Sequence, residues 1–368
     1  METINDIINL LPSFEKCDEL IINEGRVLIT AGGFEDRALA VASITDRSSN
    51  GRAIVLNYKP TNKRNKLNNV ITTLKSKGVK IDEKDIIEFD RYQPEIFPNF
   101  LQNRLIEVNA QKVIVDITAM SKLALLLCLT VCWEMNINIS VVYTEAQEKS
   151  PQKDEYEKAR VNNNLQQPSI QVYTGIHGVM RVPQLSSVAM QGQPSAAIVF
   201  MSFNDLLTQA LLNTVYPSRL FLINSRSPKW EWREEATAWI HEQLRKEWAA
   251  SDNPVNEQLG NILPQRVVST FDYKETIKIL LELYWELSPE HRILLAPTGS
   301  KQQTLGCFFV KVLHPDIHIE YPTPEGFLDM YSSGIGQTWL ADFGALQDKI
   351  NIMHTKERQL FLGIKSTS

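Results

Sequence analysis

The chain has 368 residues, of which 43% are apolar and 22% charged, a composition typical of a soluble globular protein with room for two hydrophobic cores. Its net charge of −5 argues against a generic nucleic-acid coat and against duplex DNA as a partner, but it leaves room for a small basic pocket. No run reaches about 18 apolar residues, and the N-terminal METINDIINLLPSF lacks the features of a secretion signal, so we expect neither a membrane span nor export.

Strand-like and helix-like segments alternate over the first 150 residues. Strands are predicted at the apolar runs RVLITAG, GRAIVLNYK, VKIDEKDIIEFD, QKVIVDIT and INISVVYTEA. Helices are predicted between them at EDRALAVASI, NKRNKLNNVITTLKSKG, PEIFPNFLQNRLIEVN and KLALLLCLTVCWEMN. This alternation indicates a parallel sheet with crossover helices.

The alternation stops in a polar stretch and then restarts. The stretch is rich in turn formers and is predicted to be a connector with at most one short strand or hairpin at SIQVYTG. Five further strands are predicted at AAIVFMS, RLFLINS, QRVVSTFD, RILLAPTGS and DIHIEYPTP, with helices between them and one more helix in the tail GQTWLADFGALQDKINI. We therefore predict an α/β fold of two tandem Rossmann-like units with parallel sheets: a first domain at 1–150, a connector at 151–195, and a second domain with the C-terminal tail at 196–368.

The two halves share residues at matching positions, which suggests that the chain contains a tandem duplication of one unit. The matching pairs are Lys122 with Lys301, Ser121 with Ser300, Cys128 with Cys307, and Tyr143 with Tyr321. Sequence identity between the halves is otherwise low, and any two α/β domains show a similar alternation of strands and helices. We nevertheless expect a structural duplication whose halves are related by a pseudo-two-fold axis.

Ligands of open parallel sheets bind beyond the carboxyl ends of the strands, where helix N-termini point their N–H groups outward. The candidate ligand-binding residues share this position in the predicted fold. In the first half they are Gly32, Gly33, Phe34, Glu35, Arg37, Thr118, Met120, Ser121, Lys122 and Tyr143. In the second half they are Ser202, Asn204, Asp205, Thr298, Gly299, Ser300, Lys301 and Tyr321.

Two lysines are the most informative of these candidates. The hydroxyls that precede them are explained by helix capping alone. Capping does not explain Lys122 and Lys301, because each is predicted in the first turn of a helix, where the dipole disfavours a cation. A bound phosphate would resolve the conflict, with hydroxyls and helix N–H groups beside the lysine. The alternative, in which each lysine simply extends into solvent, stays open.

Acidic and aromatic residues near these junctions give weaker signals. Asp116 is more easily explained as a brace for a neighbouring loop than as a catalytic group, and Glu35 can pair locally with Arg37. A tyrosine at a strand end, Tyr143 or Tyr321, could stack on a base. The tryptophans of WEWREEATAW are expected to pack in a core or a subunit interface.

Several familiar sites are absent from the sequence. It contains neither G-x-G-x-x-G nor a P-loop, and its six histidines have no metal-ligand spacing. Cys128 and Cys132 lie four apart without a further ligand nearby, so we expect buried free thiols and a reduced, cytoplasmic protein. We predict no cofactor and no metal, and no catalytic residue can be assigned.

The turns VDITAMSK and LAPTGSK resemble the signature turn of the CARF domain superfamily, which commonly reads Asp-x-Thr-Gly-Gly-Thr-Lys after a late strand. PTGSK is close to this pattern, whereas DITAMSK keeps Asp, Thr and Lys but lacks the glycines. Two such units in one chain resemble the SAVED domain, a single-chain pseudo-dimer. The resemblance implies a Rossmann-like sensor of cyclic or linear oligonucleotide second messengers in prokaryotic antiviral defence.

The resemblance leaves three functions open. The first is a sensor that acts through a partner effector protein or through self-assembly as a homo-oligomer. The second is a metal-independent, ring-nuclease-like phosphodiesterase that degrades the messenger. The third is a scaffold subunit of a defence complex whose site has decayed, which the missing glycines of DITAMSK would fit.

Overall fold

The computed structural model describes residues 3–162, 172–203, 205–249, 266–327 and 332–363. In this part the chain is an α/β protein with a mostly parallel seven-stranded sheet and a parallel five-stranded sheet, consistent with the predicted Rossmann-like fold. Two short two-stranded sheets accompany them. None of the helices within these ranges is long and apolar enough to cross a membrane.

The seven-stranded sheet contains all five strands predicted in the first half, and these five pair in parallel. The order across the sheet is β1-β16-β6-β5-β2-β3-β4, with β1 and β16 antiparallel at one edge. Its strands are β1 (Glu15–Lys16), β2 (Arg26–Gly32), β3 (Arg52–Lys59), β4 (Ile86–Asp90), β5 (Lys112–Asp116), β6 (Asn138–Thr144) and β16 (Thr338–Gly344).

The five-stranded sheet contains the strands predicted in the second half, and all of its neighbours are parallel. Its order is β11-β10-β9-β12-β13. Its strands are β9 (Ser195–Phe200), β10 (Arg219–Arg226), β11 (Arg266–Ser269), β12 (Arg292–Ala296) and β13 (His318–Ile319). The two small sheets pair β7 (Glu148–Lys149) with β15 (Ser332–Ser333), and β8 (Ile176–Met180) with β14 (Tyr321–Pro324).

The helices follow the strands as crossover connections or extend beyond the sheets. In the first half they are α1 (Ile4–Ile8), α2 (Ala40–Ile44), α3 (Leu67–Ser76), α4 (Phe97–Glu107), α5 (Lys122–Glu134) and α6 (Lys153–Val161). In the second half they are α7 (Leu206–Val215), α8 (Trp232–Ala249), α9 (Tyr273–Leu287), α10 (Lys301–Leu313) and α11 (Leu346–Leu362).

Both sheets have the same strand order in their parallel part. Counted along the chain within each half, the third strand lies outermost and is followed by the second, first, fourth and fifth. The order therefore reverses between the first and fourth strands, β2 and β5 in one half and β9 and β12 in the other. Such a switch point leaves a crevice beyond the strand ends.

A continuous hydrophobic core joins the two halves. One buried cluster contains Val115 of β5 and Leu126 of α5 together with Phe308 of α10 and Leu295 of β12. Helix α5 packs directly against α10. The ten residues from Leu123 to Cys132 of α5 are all buried, because this helix has the first sheet on one side and the second half on the other. The packing fixes the first turns of α5 and α10 relative to each other.

Three sequence-based expectations differ from the structure. The connector contains helix α6, whose capping box and acidic first turn were hidden in a polar stretch. Within the described part of the connector, strand β8 begins at Ile176, just after the predicted SIQVYTG, of which residues 169–171 lie outside the described ranges. The tail begins with strand β16 before its helix, and β16 extends the sheet of the first half, although the sequence assigns the tail to the second domain.

Candidate functional site

The two serines at the turns before α5 and α10 are N-caps. The Ser121 hydroxyl accepts a 3.1 Å hydrogen bond from the N–H of Ala124. The Ser300 hydroxyl accepts one of 3.1 Å from the N–H of Gln303, whose side chain completes a capping box. Helix capping is therefore confirmed for the serines.

The two threonines of these turns brace neighbouring strand ends instead. The Thr118 hydroxyl accepts a 2.9 Å hydrogen bond from the N–H of Thr144 at the end of β6. The Thr298 hydroxyl donates to the carbonyl of Phe200 at the end of β9. Both threonines are completely buried, so they hold the turns against the sheets.

The two lysines extend across the boundary between the halves. The Lys122 ammonium donates a 3.1 Å hydrogen bond to the carbonyl of Thr298, and the Lys301 ammonium donates to the carbonyl of Thr118. Each lysine at the start of one helix thus contacts the turn before the other helix. Within the described residues, neither ammonium has a carboxylate in ion-pair contact, because both partners are backbone carbonyls.

Both lysines are partly buried, and burial lowers their affinity for a proton. Loss of hydration lowers the pKa of Lys122 to about 8. The same effect, with repulsion from Arg37 added, lowers the pKa of Lys301 to about 7. The nearby carboxylates of Glu35 and Asp116 offset only part of this effect at Lys301, and a bound anion would raise the pKa of both lysines.

A cleft of ≈ 130 Å³ opens beside these turns at the carboxyl end of the five-stranded sheet. Its wall includes residues that follow β9, β10, β11 and β12, and it therefore covers the switch point between β9 and β12. The first half contributes Lys122, Lys149 and Ser150 to the wall. The lining residues are Lys122, Lys149, Ser150, Val172, Tyr173, Met201, Ser202, Phe203, Ser225, Ser227, Trp230, Arg233, Thr237, Thr270, Thr298, Gly299 and Ser300.

The polar lining of the cleft consists of cations and hydroxyls. Three cationic side chains line it, those of Lys122, Lys149 and Arg233, and no aspartate or glutamate is among the described residues of its wall. The serine and threonine hydroxyls belong to Ser150, Ser202, Ser225, Ser227, Thr237, Thr270, Thr298 and Ser300. Together with the N-terminus of α10, this lining has the donors and the charge that bind phosphate.

Lys149 is a cleft residue that sequence reasoning missed. It belongs to β7, at the end of the predicted first domain, and no motif precedes it. Burial, followed by repulsion from Arg37 and Arg233, lowers its pKa to about 7. Its ammonium lies 5.2 Å from the centre of the Trp230 ring. No signal in the sequence could have brought these two residues together, because the contact joins segments some eighty positions apart.

The turns before α5 and α10 differ at the residue that precedes each N-cap serine. Gly299 lines the cleft, whereas the residue at the matching position of the first turn, Met120, is 1% exposed and belongs to the hydrophobic core. In the first half Gly33 also packs tightly on the turn, since a Cβ there would lie 2.8 Å from the Cβ of Ala119. The missing glycines of DITAMSK thus correspond to a turn that is filled by its own side chains.

A buried ion pair occupies the other candidate loop of the first half. Arg37 donates to Glu35 at 2.9 Å, and it also donates to the Thr144 carbonyl at 3.1 Å. Burial by itself would raise the pKa of Glu35, but Arg37 and Lys301 and the Ser332 hydroxyl hold it below its ordinary value. The predicted local pairing of Glu35 with Arg37 is confirmed.

Asp116 acts as a brace, as the sequence suggested. One of its oxygens accepts a 2.8 Å hydrogen bond from the Thr30 hydroxyl, and the other accepts one of 3.0 Å from the N–H of Thr118. It is 1% exposed, and burial raises its pKa. These bonds tie the end of β2 to the turn after β5 and so set the position of the loop before Lys122.

The structure brings only some of the predicted ligand-binding residues to the cleft. Those that line it are Lys122, Ser202, Thr298, Gly299 and Ser300. Those outside its described wall are Gly32, Gly33, Phe34, Glu35, Arg37, Thr118, Met120, Ser121, Tyr143, Asp205, Lys301 and Tyr321. Asn204 lies outside the described residues. Ligand contact by any of these residues stays a prediction.

The aromatic candidates have packing partners. Tyr143 and Tyr321 are 9% and 5% exposed, so a base could reach neither ring without rearrangement. Trp232 and Trp239 surround Tyr156 in a small core, with ring centres 5.6 Å and 6.2 Å from it. The packing interpretation of these two tryptophans is confirmed, whereas Trp230 lines the cleft.

Within the described residues, no group of three or more His, Cys, Asp or Glu side chains is arranged to hold a metal ion. The four cysteines are buried free thiols, as expected. Comparison with protein-family models gives no match to this chain, and comparison with curated proteins gives none either.

Proposed function

We propose that this chain binds a phosphate-containing nucleotide in the cleft above the five-stranded sheet. One observation carries the proposal: three cations and eight serine or threonine hydroxyls line the cleft without a carboxylate among its described residues. Lys122 and Lys149 make no ion pair with a described carboxylate, and cations in a partly dehydrated site are costly unless an anion binds there. A phosphate group satisfies both the charge and the many hydroxyl donors.

Different residues of the cleft bind different parts of the proposed ligand. The phosphate lies at the N-terminus of α10, where backbone N–H groups and the helix dipole attract an anion. Lys122 reaches the same place from the first half and supplies the positive charge. The hydroxyls of Ser202 and Ser225, from the ends of β9 and β10, orient the rest of the ligand.

The nature of the nucleotide rests on the resemblance of PTGSK to the CARF signature turn. We propose a cyclic-oligonucleotide-like second messenger of prokaryotic antiviral defence, with the response passed to a partner effector or to self-assembly. The equal strand orders of the two sheets and the exchanged lysine contacts support a pseudo-two-fold relation between the halves, as in a single-chain pseudo-dimer.

Calorimetric titration of the full chain with a panel of cyclic and linear oligonucleotides tests the proposal. We expect one or more members to bind, and Lys122→Met to weaken binding at least about tenfold, the usual effect of losing a hydrogen bond from a charged group. Lys153→Met is a matched control, because Lys153 is exposed on α6 and pairs with Glu157. Absence of binding to every member would favour the scaffold function instead.

A second candidate function is a phosphodiesterase acting on the same ligand. The pKa of Lys122, about 8, favours it, because such a lysine can exchange a proton near neutral pH. The 2′-hydroxyl of an RNA-like ligand would give its proton to neutral Lys122 and attack the neighbouring phosphorus. The bond to the 5′-oxygen would break, and that oxygen would leave with the proton from Lys122, which yields a 2′,3′-cyclic phosphate and a 5′-hydroxyl. Chromatography of the titrated samples distinguishes the two functions: unchanged ligand supports the sensor, and linear products that vanish in Lys122→Met support the enzyme.

A further inference from the structure

Lys149 reaches the cleft in a setting that differs from that of the paired surface lysines. Lys59 and Lys66, for example, contact Glu88 and Asp36 at 3.2 Å and 2.9 Å. Within the described residues, no carboxylate lies within ion-pair distance of the Lys149 ammonium, which instead lies over the Trp230 ring. An aromatic ring attracts a cation through its quadrupole and leaves its charge in place.

The backbone around Lys149 is firmly held. Strand β7 pairs with β15, where Lys149 lies opposite Ser332. Arg233 donates to the carbonyls of Lys149 and Pro151 at 3.0 Å and 2.7 Å, so the base of the side chain is fixed from the side of α8. A lysine with a fixed base and a ring beneath its ammonium is preorganised for a ligand, because little rotational freedom remains to be lost on binding.

We propose that Lys149 is a second anion-binding lysine of the cleft, that Trp230 is the positioning residue that holds it there, and that the ligand carries more than one negative charge. This proposal rests on the proposed function and names the charge class of its ligand. Lys122 and Lys149 approach the cleft from separate segments of the first half, the start of α5 and strand β7. A polyphosphate or a compound with neighbouring phosphates can engage both, whereas a single monoanion neutralises one.

Inorganic phosphate, pyrophosphate and tripolyphosphate are suitable probes, titrated calorimetrically into the full chain at constant ionic strength. We expect affinity to rise along this series in the unaltered protein. Lys149→Met should lower the affinity for tripolyphosphate at least about tenfold and remove most of its advantage over phosphate. Lys149→Arg keeps the charge and should retain most of that advantage.

Lys229 provides a matched control, because its ammonium lies 4.9 Å from the centre of the same Trp230 ring but donates to the carbonyls of Ala146 and Gln147 outside the cleft lining. Lys229→Met should change tripolyphosphate affinity by less than about twofold. Trp230→Leu should weaken binding about fivefold, and Trp230→Tyr should restore most of it, because a tyrosine ring also attracts cations. Melting curves of each variant check that the fold is intact.

The pH profile separates positioning from a merely structural effect. Lys149 must be protonated to bind an anion, so affinity in the unaltered protein should fall as the pH rises above 7, the value near its pKa. The affinity of Lys149→Met should decrease less steeply over the same pH range. Equal tripolyphosphate affinity in Lys149→Met and in the unaltered protein would overturn the role of Lys149 while leaving nucleotide binding intact. Absence of binding to the polyphosphates and to every oligonucleotide would overturn the proposed function as well.

Discussion

The Lys122 ammonium lies 3.1 Å from the carbonyl oxygen of Thr298, although the two residues belong to opposite halves of the chain. Lys301 makes the reciprocal contact, because its ammonium donates a hydrogen bond to the carbonyl oxygen of Thr118. Each lysine thereby fixes the turn from which the other helix begins. Because a carbonyl accepts the hydrogen bond without cancelling the charge, the same contact positions the cations and keeps them available to an anion.

The two lysines should differ in their importance for ligand binding. Lys122 lines the cleft, whereas Lys301 does not. We therefore expect Lys122→Met to lower the affinity for tripolyphosphate at least about tenfold and Lys301→Met to lower it only about two- to threefold, through movement of the Thr118 turn. Calorimetric titration of both variants under identical conditions measures the difference. A larger loss in Lys301→Met than in Lys122→Met would contradict the assignment of the cleft.

The lowered lysine pKa values should make stability depend on pH. In the folded chain Lys149 and Lys301 have pKa values of about 7, whereas an unfolded lysine titrates near 10.5. Between these values the unfolded chain binds more protons, so the free energy of unfolding should rise with pH across this window. These lysines destabilise the fold most below pH 7, where both states are protonated, and this penalty disappears as the pH approaches 10.5.

Urea denaturation at pH 7 and pH 9 tests this dependence. The double variant Lys149→Met/Lys301→Met should gain less stability over this interval than the unaltered protein. Taking the difference between the two proteins removes the effect of other groups, such as cysteines and tyrosines, that titrate in the same range. Identical pH slopes in the two proteins would show that these lysines keep an ordinary pKa when the chain is folded.

The sequence predicted the fold far better than the site. Strands and helices of the two halves were predictable because apolar runs and helical spacing are local properties, and the helix-starting serines were recognisable as caps. Strand β16 was missed since its partner, β6, lies about two hundred positions away in the chain. Pairing at such a distance is decided by packing and leaves no local pattern.

The site was predicted only in part for the same reason. Lys122, Gly299 and Ser300 follow strands and precede helices, so their place at the sheet edge could be inferred from the chain order. The difference between the two turns could not be inferred from the chain order, because it depends on whether Met120 packs into the core. Likewise, the contact of Lys149 with Trp230 joins residues about eighty positions apart and forms only in the folded chain.

Anion binding should be accompanied by proton uptake at pH 8. In the free protein Lys122, Lys149 and Lys301 have pKa values of about 8, 7 and 7, so part of this lysine population is neutral at that pH. A bound phosphate favours the charged form and raises these pKa values. Titration of tripolyphosphate in two buffers with different ionisation enthalpies measures the protons taken up. We expect net uptake at pH 8 and much less at pH 6, where the lysines are already protonated.

The turn before α10 should not tolerate a side chain at residue 299. A Cβ on Gly299 would collide with the Gln303 side chain, whose oxygen accepts a 2.7 Å hydrogen bond from the N–H of Ser300, and it would lie 3.0 Å from the Cβ of Phe200. Gly299→Ala must therefore displace Gln303 and loosen the capping box. We expect it to lower the free energy of unfolding by about 1–3 kcal/mol, as forced overpacking does, and to weaken polyphosphate binding.

Gly178→Ala is the matched control for this change, because a Cβ on Gly178 in β8 meets no atom within 4 Å. That variant should unfold at nearly the same urea concentration as the unaltered protein and bind the probes equally well. If Gly299→Ala proved as stable as Gly178→Ala yet lost binding, the glycine would be needed for the approach of the ligand itself. Unchanged stability together with unchanged binding would show that the turn has more space than its contacts with Gln303 and Phe200 allow, and the cleft would need to be assigned to other residues.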